Sequence, residues 1–232
     1  RTLVQAIPPR ASAFAAIAAA TTREAVDLAK AAQSAGCVGL MVLPPYIYKG
    51  SWRETKSHVS AIIRATPLSC MLYNNPLAYG TDILPTQIAE LAREHANLHA
   101  VKESSADVRR LAAIRELIGN RLDLLVGGDD LLVEGVTAGA SGWIAGLVNA
   151  LPKESVRLFN LARDGKHREA GELYHWFLPL LRLDTTYDFV QLIKLVQAEV
   201  AMVGPGGPIT RPPRLLPEGE ELARVQGLIR SA

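Results

Sequence analysis

Cysteine is almost missing. Cys37 and Cys70 are the only two in 232 residues, which excludes a disulfide-stapled scaffold and points to buried free thiols in a reducing cytoplasm. No apolar run is long enough to cross a bilayer; the stretch around Ala11 to Ala20 comes nearest and is built of small side chains. An excess of one charge is missing too. The net charge is +2 and no Lys/Arg run occurs, so nothing here makes a nucleic-acid surface. No signal peptide is visible, and the chain opens on Arg1 instead of Met. No G-x-G-x-x-G follows the first strand signal, which removes the usual support for a dinucleotide site. The histidines His58, His95, His99, His167 and His175 share no spacing that would gather metal ligands. Neither a metal nor a cofactor is expected. What is left is a chain with 49% hydrophobic and 21% charged residues, a balance ordinary for a soluble globular enzyme and unlike that of a disordered chain.

What is present is an alternation of strand and helix signals. Ser12 to Ala19 reads as a strand, and Thr21 with Glu24 three residues on forms a capping box for a helix over Thr22 to Ala35. Strands follow over Val38 to Leu43, Leu68 to Tyr73, Leu98 to Lys102, Leu122 to Val126 and Gly142 to Ala145. Between them come a helix capped by Ser51 and running to Arg64, one over Pro85 to His95, one capped by Asp107 and ending at Ile118, and one reaching Ala138. Short, continuously apolar strands fit a parallel sheet covered on both faces. Six such units in a row predict an α/β fold of the (β/α)8 TIM barrel type over an open doubly wound sheet.

A closed barrel of this type needs eight strands. The opening Arg1 to Ile7 reads like the last turns of a helix without a start signal, so the chain is expected to lack the first two βα units. After Pro152 only helices are predicted, over Lys153 to Arg163, His167 to Leu181, Asp184 to Val203 and Pro217 to Ser231, with a Gly204 to Pro208 linker. The expected organisation is a partial barrel over residues 1–151, units 3 to 8, and a helical extension over 152–232 in the same domain.

Barrels of this kind build their sites at the C-terminal ends of the strands. Lys102 is the only lysine that directly ends one of these strands, and Tyr73 ends the strand before it. An exposed amine is almost wholly protonated at neutral pH, whereas desolvation in a barrel mouth favours the neutral nucleophile. A phenol within reach can then carry protons to and from a carbinolamine. That is the equipment for Schiff-base chemistry on a keto acid. Two plainer readings stand beside it: Lys102 forms an ion pair with Glu103 or another rim carboxylate, and Tyr73 serves packing. Gly127-Gly128-Asp129-Asp130 suggests either phosphate or Mg²⁺ binding or, more simply, a tight strand-to-helix turn with an Asp cap.

The order of P-P-Y-I-Y from Pro44, L-Y-N-N-P from Leu72, V-K-E-S-S from Val101, G-G-D-D from Gly127 and G-A-S-G-W-I-A from Gly139, with Asn149, resembles the dihydrodipicolinate synthase / N-acetylneuraminate lyase family. The resemblance covers nearly the whole chain. It implies a class I aldolase or dehydratase on a (β/α)8 barrel with extra C-terminal helices, commonly dimeric or tetrameric. By it, Lys102 is the Schiff-base lysine and Tyr73 the proton-relay tyrosine. Tyr46 matches a tyrosine exchanged across a tight-dimer interface, Ile144 a backbone contact to the bound keto acid, and Gly128 the opening of a loop beside the site.

Two departures qualify the resemblance. The family's carboxylate-binding G-T-x-G-E loop is absent, as an N-terminally truncated chain would have it. After Y-N-x-P the synthases carry an arginine for the second substrate, whereas this chain reads Leu77-Ala78-Tyr79-Gly80, which argues against dihydrodipicolinate synthesis. Leu183-Asp184-Thr185 and the ending R-P-P-R-L resemble catabolic dehydratase or deaminase branches, one of which acts on 1-pyrroline-4-hydroxy-2-carboxylate. The expectation is therefore a lyase for a pyruvate-like or 2-oxo acid, without nucleic-acid or membrane partners. The alternative is a non-catalytic barrel relative that binds a small acid or serves in assembly.

Overall fold

The capping residues and apolar stripes place most elements where the chain forms them. The computed structural model describes residues 2–7, 11–204 and 206–231; Arg1, at the head of the expected opening helix, and Pro205, in the expected linker, lie outside them. The chain divides into two compact units, Arg1–Leu125 and Val126–Ala232. The first holds α1 (Thr2–Ala6), β1 (Phe14–Ile17), α2 (Thr22–Ser34), β2 (Gly39–Val42), α3 (Trp52–Arg64), β3 (Ser69–Asn74), α4 (Pro76–Tyr79), α5 (Pro85–Glu94), β4 (Leu98–Glu103), α6 (Arg109–Ile118) and most of β5 (Asp123–Val126). The second holds α7 (Leu132–Thr137), β6 (Gly142–Trp143), α8 (Pro152–Arg163), α9 (His167–Leu181), α10 (Phe189–Glu199) and α11 (Gly219–Ser231).

The strands form one six-stranded sheet in sequence order, β1 to β6, with parallel registers from β1 through β4. Parallel neighbours taken in order, with a helix between each pair, are the arrangement of a (β/α) barrel, as expected. Thr21 and Ser51 both make the reciprocal capping box, with Glu24 and Glu54 respectively, an arrangement whose cap residue is worth about 0.5–2 kcal/mol. In the first unit Leu40, Ile62, Leu72, Ile88, Leu91, Val101 and Ile114 have no exposed surface. Each such side chain contributes about 1.5–3 kcal/mol of burial. In the second unit the core gathers Leu132, Leu158, Phe177, Leu181 and Val196. No helix among the described residues is long and apolar enough to cross a membrane. Both cysteines are free thiols, Cys70 buried and Cys37 half-buried.

Several boundaries differ from expectation. β1 and β6 are shorter than the apolar runs that announce them, because pairing, not hydrophobicity, ends a strand. The expected helix from Asp184 starts only at Phe189. Ahead of it a 3-10 turn occupies Arg182–Thr185, where Thr185 and Thr186 donate their hydroxyls to the carbonyls of Arg182 and Leu183. Such local bonds compete with α-helix. Asp107 does not occupy the cap position of α6, which Val108 takes without a side-chain cap bond, yet its carboxylate still receives Arg109 N at 3.1 Å.

Candidate active site

β3 and β4 carry opposite chemistry on their two faces because side chains alternate along a strand. Leu72 pairs with Val101 and Asn74 with Glu103 on the buried face; Met71 pairs with Ala100 and Tyr73 with Lys102 on the other. The register is not regular. Cys70 pairs with Leu98 but Met71 pairs with Ala100, so His99 is one residue too many for the ladder. A ladder continued regularly from Cys70 would have put Val101 opposite Tyr73. The extra residue shifts the rest of β4 by one, and a shift of one exchanges the faces. Lys102 reaches Tyr73 only because of it.

Lys102 Nζ stands 4.4 Å from the centroid of the Tyr73 ring, within cation–π range. Both residues are half-buried. The Tyr73 hydroxyl accepts from Asn75 Nδ2 at 2.9 Å, which leaves its own proton to be donated elsewhere. Asn75 is itself fixed, since its Oδ1 caps α4 by accepting Ala78 N at 3.1 Å. Glu103, named beforehand as an ion-pair partner for Lys102, points to the opposite face and bonds Asn74 and Ser105. Among the described residues Lys102 has no carboxylate within ion-pair distance.

α4 also delivers Tyr79, whose ring meets that of Tyr73 edge-on at 5.8 Å. Tyr46 reaches this group through Tyr79, at 6.3 Å between ring centroids. The loops after β2 and β3 are joined where Thr81 Oγ1 donates to the Pro45 carbonyl at 2.8 Å. Two residues beyond Lys102, Ser104 Oγ is buried and has no hydrogen-bond partner among the described residues. Two grooves of about 610 and 500 Å³ lie along α8 and beside α3, and neither contains Lys102 or Tyr73.

In the second unit, Gly128 opens a 3-10 turn over Asp129–Leu131. A Cβ built there would make only ordinary contacts, the nearest with Leu131 at 3.6 Å, so packing within the chain does not demand glycine. Ile144 follows β6; its N–H donates to the Val126 carbonyl at 3.0 Å, and its side chain is partly exposed. Asp129 is fully buried. Its carboxylate receives Trp143 Nε1 at 3.1 Å, Gly146 N at 3.0 Å and Leu147 N at 2.7 Å. The Asp cap that the turn at residues 127–130 suggested is not formed, since neither the 3-10 turn nor α7 has a side-chain cap bond; these bonds of Asp129 run to a later loop. A Cβ at Gly146 would fall 1.8 Å from Asp184 Oδ1, so a larger residue there would require the Asp184 side chain to move.

A model of the Dihydrodipicolinate synthetase family matches residues 1–232. The chain belongs to this family. A 4-hydroxy-tetrahydrodipicolinate synthase from Geotalea daltonii is 32% identical over 181 residues, covering 78% of this chain and 61% of that relative. The matched regions of the first curated relatives span between 58% and 68% of their own length. The 4-hydroxy-tetrahydrodipicolinate synthase structure from Methylacidiphilum fumariolicum SolV aligns with a TM-score of 0.88 at 27% identity, over 95% of this chain and 73% of that one. YagE of Escherichia coli K12, a prophage protein of the dihydrodipicolinic acid synthase family in complex with pyruvate, aligns with a TM-score of 0.86 at 25% identity, over 96% and 76%. The α/β barrel class of these structures is the fold of this chain.

Three features of this dihydrodipicolinate synthetase family chain were not singled out from sequence. Asn75 carried a signal, since an Asn immediately before a Pro opens a helix. Tyr79 was visible only as part of the Leu77-Ala78-Tyr79-Gly80 departure, because a four-residue helix has no period that would tell where its ring points. The His99 irregularity is invisible without the partner strand.

Proposed function

We propose that the protein is a lyase that forms a Schiff base between Lys102 and a pyruvate-like 2-oxo acid. The observation that carries this reading is the Tyr73–Lys102 pairing, with the amine 4.4 Å from the phenol ring centroid. The neutral amine adds to the keto carbon, the carbinolamine loses water, and the resulting iminium draws electrons from the adjacent bond. In C–C cleavage the C3–C4 bond breaks towards the iminium and leaves an enamine, which is protonated at C3. In C–O cleavage loss of a C3 proton gives the enamine, which expels the C4 oxygen as water and leaves a conjugated iminium. Hydrolysis then releases product and free amine. Tyr73 relays the protons of addition and dehydration. Asn75, by donating to the phenol oxygen, holds the hydroxyl with its proton outward. Ser104 Oγ supports a substrate oxygen close by, because a buried hydroxyl without partner costs about 1–3 kcal/mol until one arrives.

Tyr46, Gly128 and Ile144 are proposed to line the substrate's path. The segment after Pro76 reads Leu77-Ala78-Tyr79-Gly80, without the carboxylate-holding arginine that dihydrodipicolinate synthesis would need there. This favours an aldolase, dehydratase or deaminase, of the 1-pyrroline-4-hydroxy-2-carboxylate kind. A homodimer or homotetramer in the cytoplasm is the matching assembly. The pyruvate complex of the similar YagE supports the choice of 2-oxo acid. Borohydride reduction in the presence of pyruvate, followed by peptide mapping, is the test. A reduced adduct on Lys102, lost in Lys102→Arg, is expected. No adduct with pyruvate or any of a panel of 2-oxo acids, pyrroline carboxylates included, would refute the lysine chemistry.

A further inference from the structure

Behind the Tyr73–Lys102 pair lies a second pair that the chemistry above does not use. Asn74 and Glu103 are the next register partners along β3 and β4 and face the other way. Asn74 has no exposed surface and Glu103 is buried. The Asn74 amide donates to Glu103 Oε2 at 3.0 Å and to Asp82 Oδ1 at 3.3 Å, while its carbonyl accepts Ile83 N at 2.9 Å. Glu103 Oε1 accepts Ser105 N at 2.7 Å. Arg110 on α6 clamps Asp82 through bonds of 2.6 and 2.8 Å. Just past the strand ends, Ser104 N donates to the Asn74 carbonyl at 2.8 Å.

Packing alone does not explain these residues. Leu72 and Val101, one pair earlier on the same face, fill it with hydrocarbon and are fully buried. A buried amide–carboxyl pair is a poor way to gain stability, and the best-attested use of such pairs is to specify register. Burial indeed pushes the Glu103 carboxyl above the usual carboxylate range, against the hydrogen bonds from Ser105 and Asn74. Register is what this ladder has at stake. A one-residue slip would turn Lys102 into the buried face and Val101 out of it. The Asn74–Glu103 bond adds a specific bias to the same register, since it closes only when β4 is shifted by its extra residue.

We propose that Asn74 and Glu103 form a register lock that holds Lys102, and not Val101, beside Tyr73. Both are positioning residues, since neither faces the lysine's side of the sheet. The inference rests on the lysine chemistry proposed above.

Two variants test it, read by the rate of borohydride-trapped pyruvate adduct on Lys102 alongside a circular dichroism melt. Asn74→Leu keeps the volume and leaves the Glu103 carboxyl without its partner. Asn74→Asp sets a second carboxyl against the first, so that one shared proton closes the lock and two charges open it. The charged groups facing this pair are Asp82 from the loop after α4 and Arg110 from α6, with Lys49 acting on Asp82. The expected result is trapping about 10- to 100-fold slower in folded Asn74→Leu, as a misplacement near 1 Å would cause. For Asn74→Asp, the rate relative to the parent should rise as pH falls from about 8 to about 5. Parental trapping rates in both variants, with an unchanged pH profile, would overturn the lock and leave the lysine chemistry standing. Slow trapping that merely follows loss of the folded signal would overturn it too, reducing the pair to a stability element. No adduct in the parent would remove the lysine chemistry and the lock with it.

Discussion

Replacing Asp129 by alanine should destabilise the second unit more than any other single polar change there. The carboxylate is completely buried, and it receives Trp143 Nε1, Gly146 N and Leu147 N at 3.1, 3.0 and 2.7 Å. Alanine removes the acceptor and leaves three donors in a dry interior. At about 1–3 kcal/mol for each unsatisfied donor the upper bound is about 9 kcal/mol. Relaxation of the short loop and entry of water bring the expectation to the lower end, about 3–4 kcal/mol. That is a large share of a total stability of about 5–15 kcal/mol. Asp129→Asn keeps the shape but turns an NH₂ group towards one donor, so a loss of about 1–2 kcal/mol is expected. Urea denaturation followed by tryptophan fluorescence measures both. Trp143 should contribute a red-shifted signal as its ring loses its anchor, and a cycle with Trp143→Phe should return a coupling of about 0.5–3 kcal/mol. An alanine variant whose unfolding free energy falls by less than about 0.5 kcal/mol would refute the idea that this carboxylate organises the loop after β6.

Two further predictions concern the first unit. Burial holds the imidazoles of His58 and His95 below the usual histidine range, so the unfolded chain takes up protons that the folded chain refuses. Their contribution is present above about pH 6.5 and is lost as pH falls through the lowered values; the fall in Tm between pH 7 and about pH 5 should flatten in a His58→Asn/His95→Asn variant, and an unaltered slope would count against it. Burial also pushes the Cys70 thiol up to about 11, leaving about one thiolate in a thousand at pH 8. A chromogenic disulfide reagent should therefore modify Cys37 first and Cys70 only on denaturation, and two equally fast thiols would contradict the burial.

Sequence carried the fold further than it carried the site. Thr21 with Glu24, and Ser51 as a cap, announce their helices because capping is chemistry within four residues; both caps form, and Ser51 closes its box with Glu54. The order of apolar runs likewise announces the parallel sheet. Boundaries were misplaced where a hydroxyl bonds its own backbone, as at Thr185 and Thr186. The turn at residues 127–130 was readable as carrying an Asp cap, but the three partners of Asp129 named above are 14 to 18 residues away, a distance across which no local pattern speaks. The same limit hid the Asn74–Glu103 pair, whose members are 29 residues apart.

The juxtaposition of Tyr73 and Lys102 shows how a placement that the structure bears out can rest on an incomplete reason. Both residues end apolar runs, which places them at one end of adjacent strands. Strand-end position alone does not bring them together, because alternation leaves even odds that two strand-end side chains face opposite ways. The deciding element is His99, the supernumerary residue in β4, whose ring Nδ1 lies 2.9 Å from Ser69 Oγ on the neighbouring strand. Without the shift, the alternation would send Lys102 to the buried face and bring Glu103 out towards Tyr73's side. One inserted residue thus sorts four side chains, amine and phenol to one face, amide and carboxyl to the other. The irregularity at the start of β4 and the polar pair at its end act on the same register from opposite ends, and a local distortion of a sheet becomes a condition for the chemistry proposed at its rim.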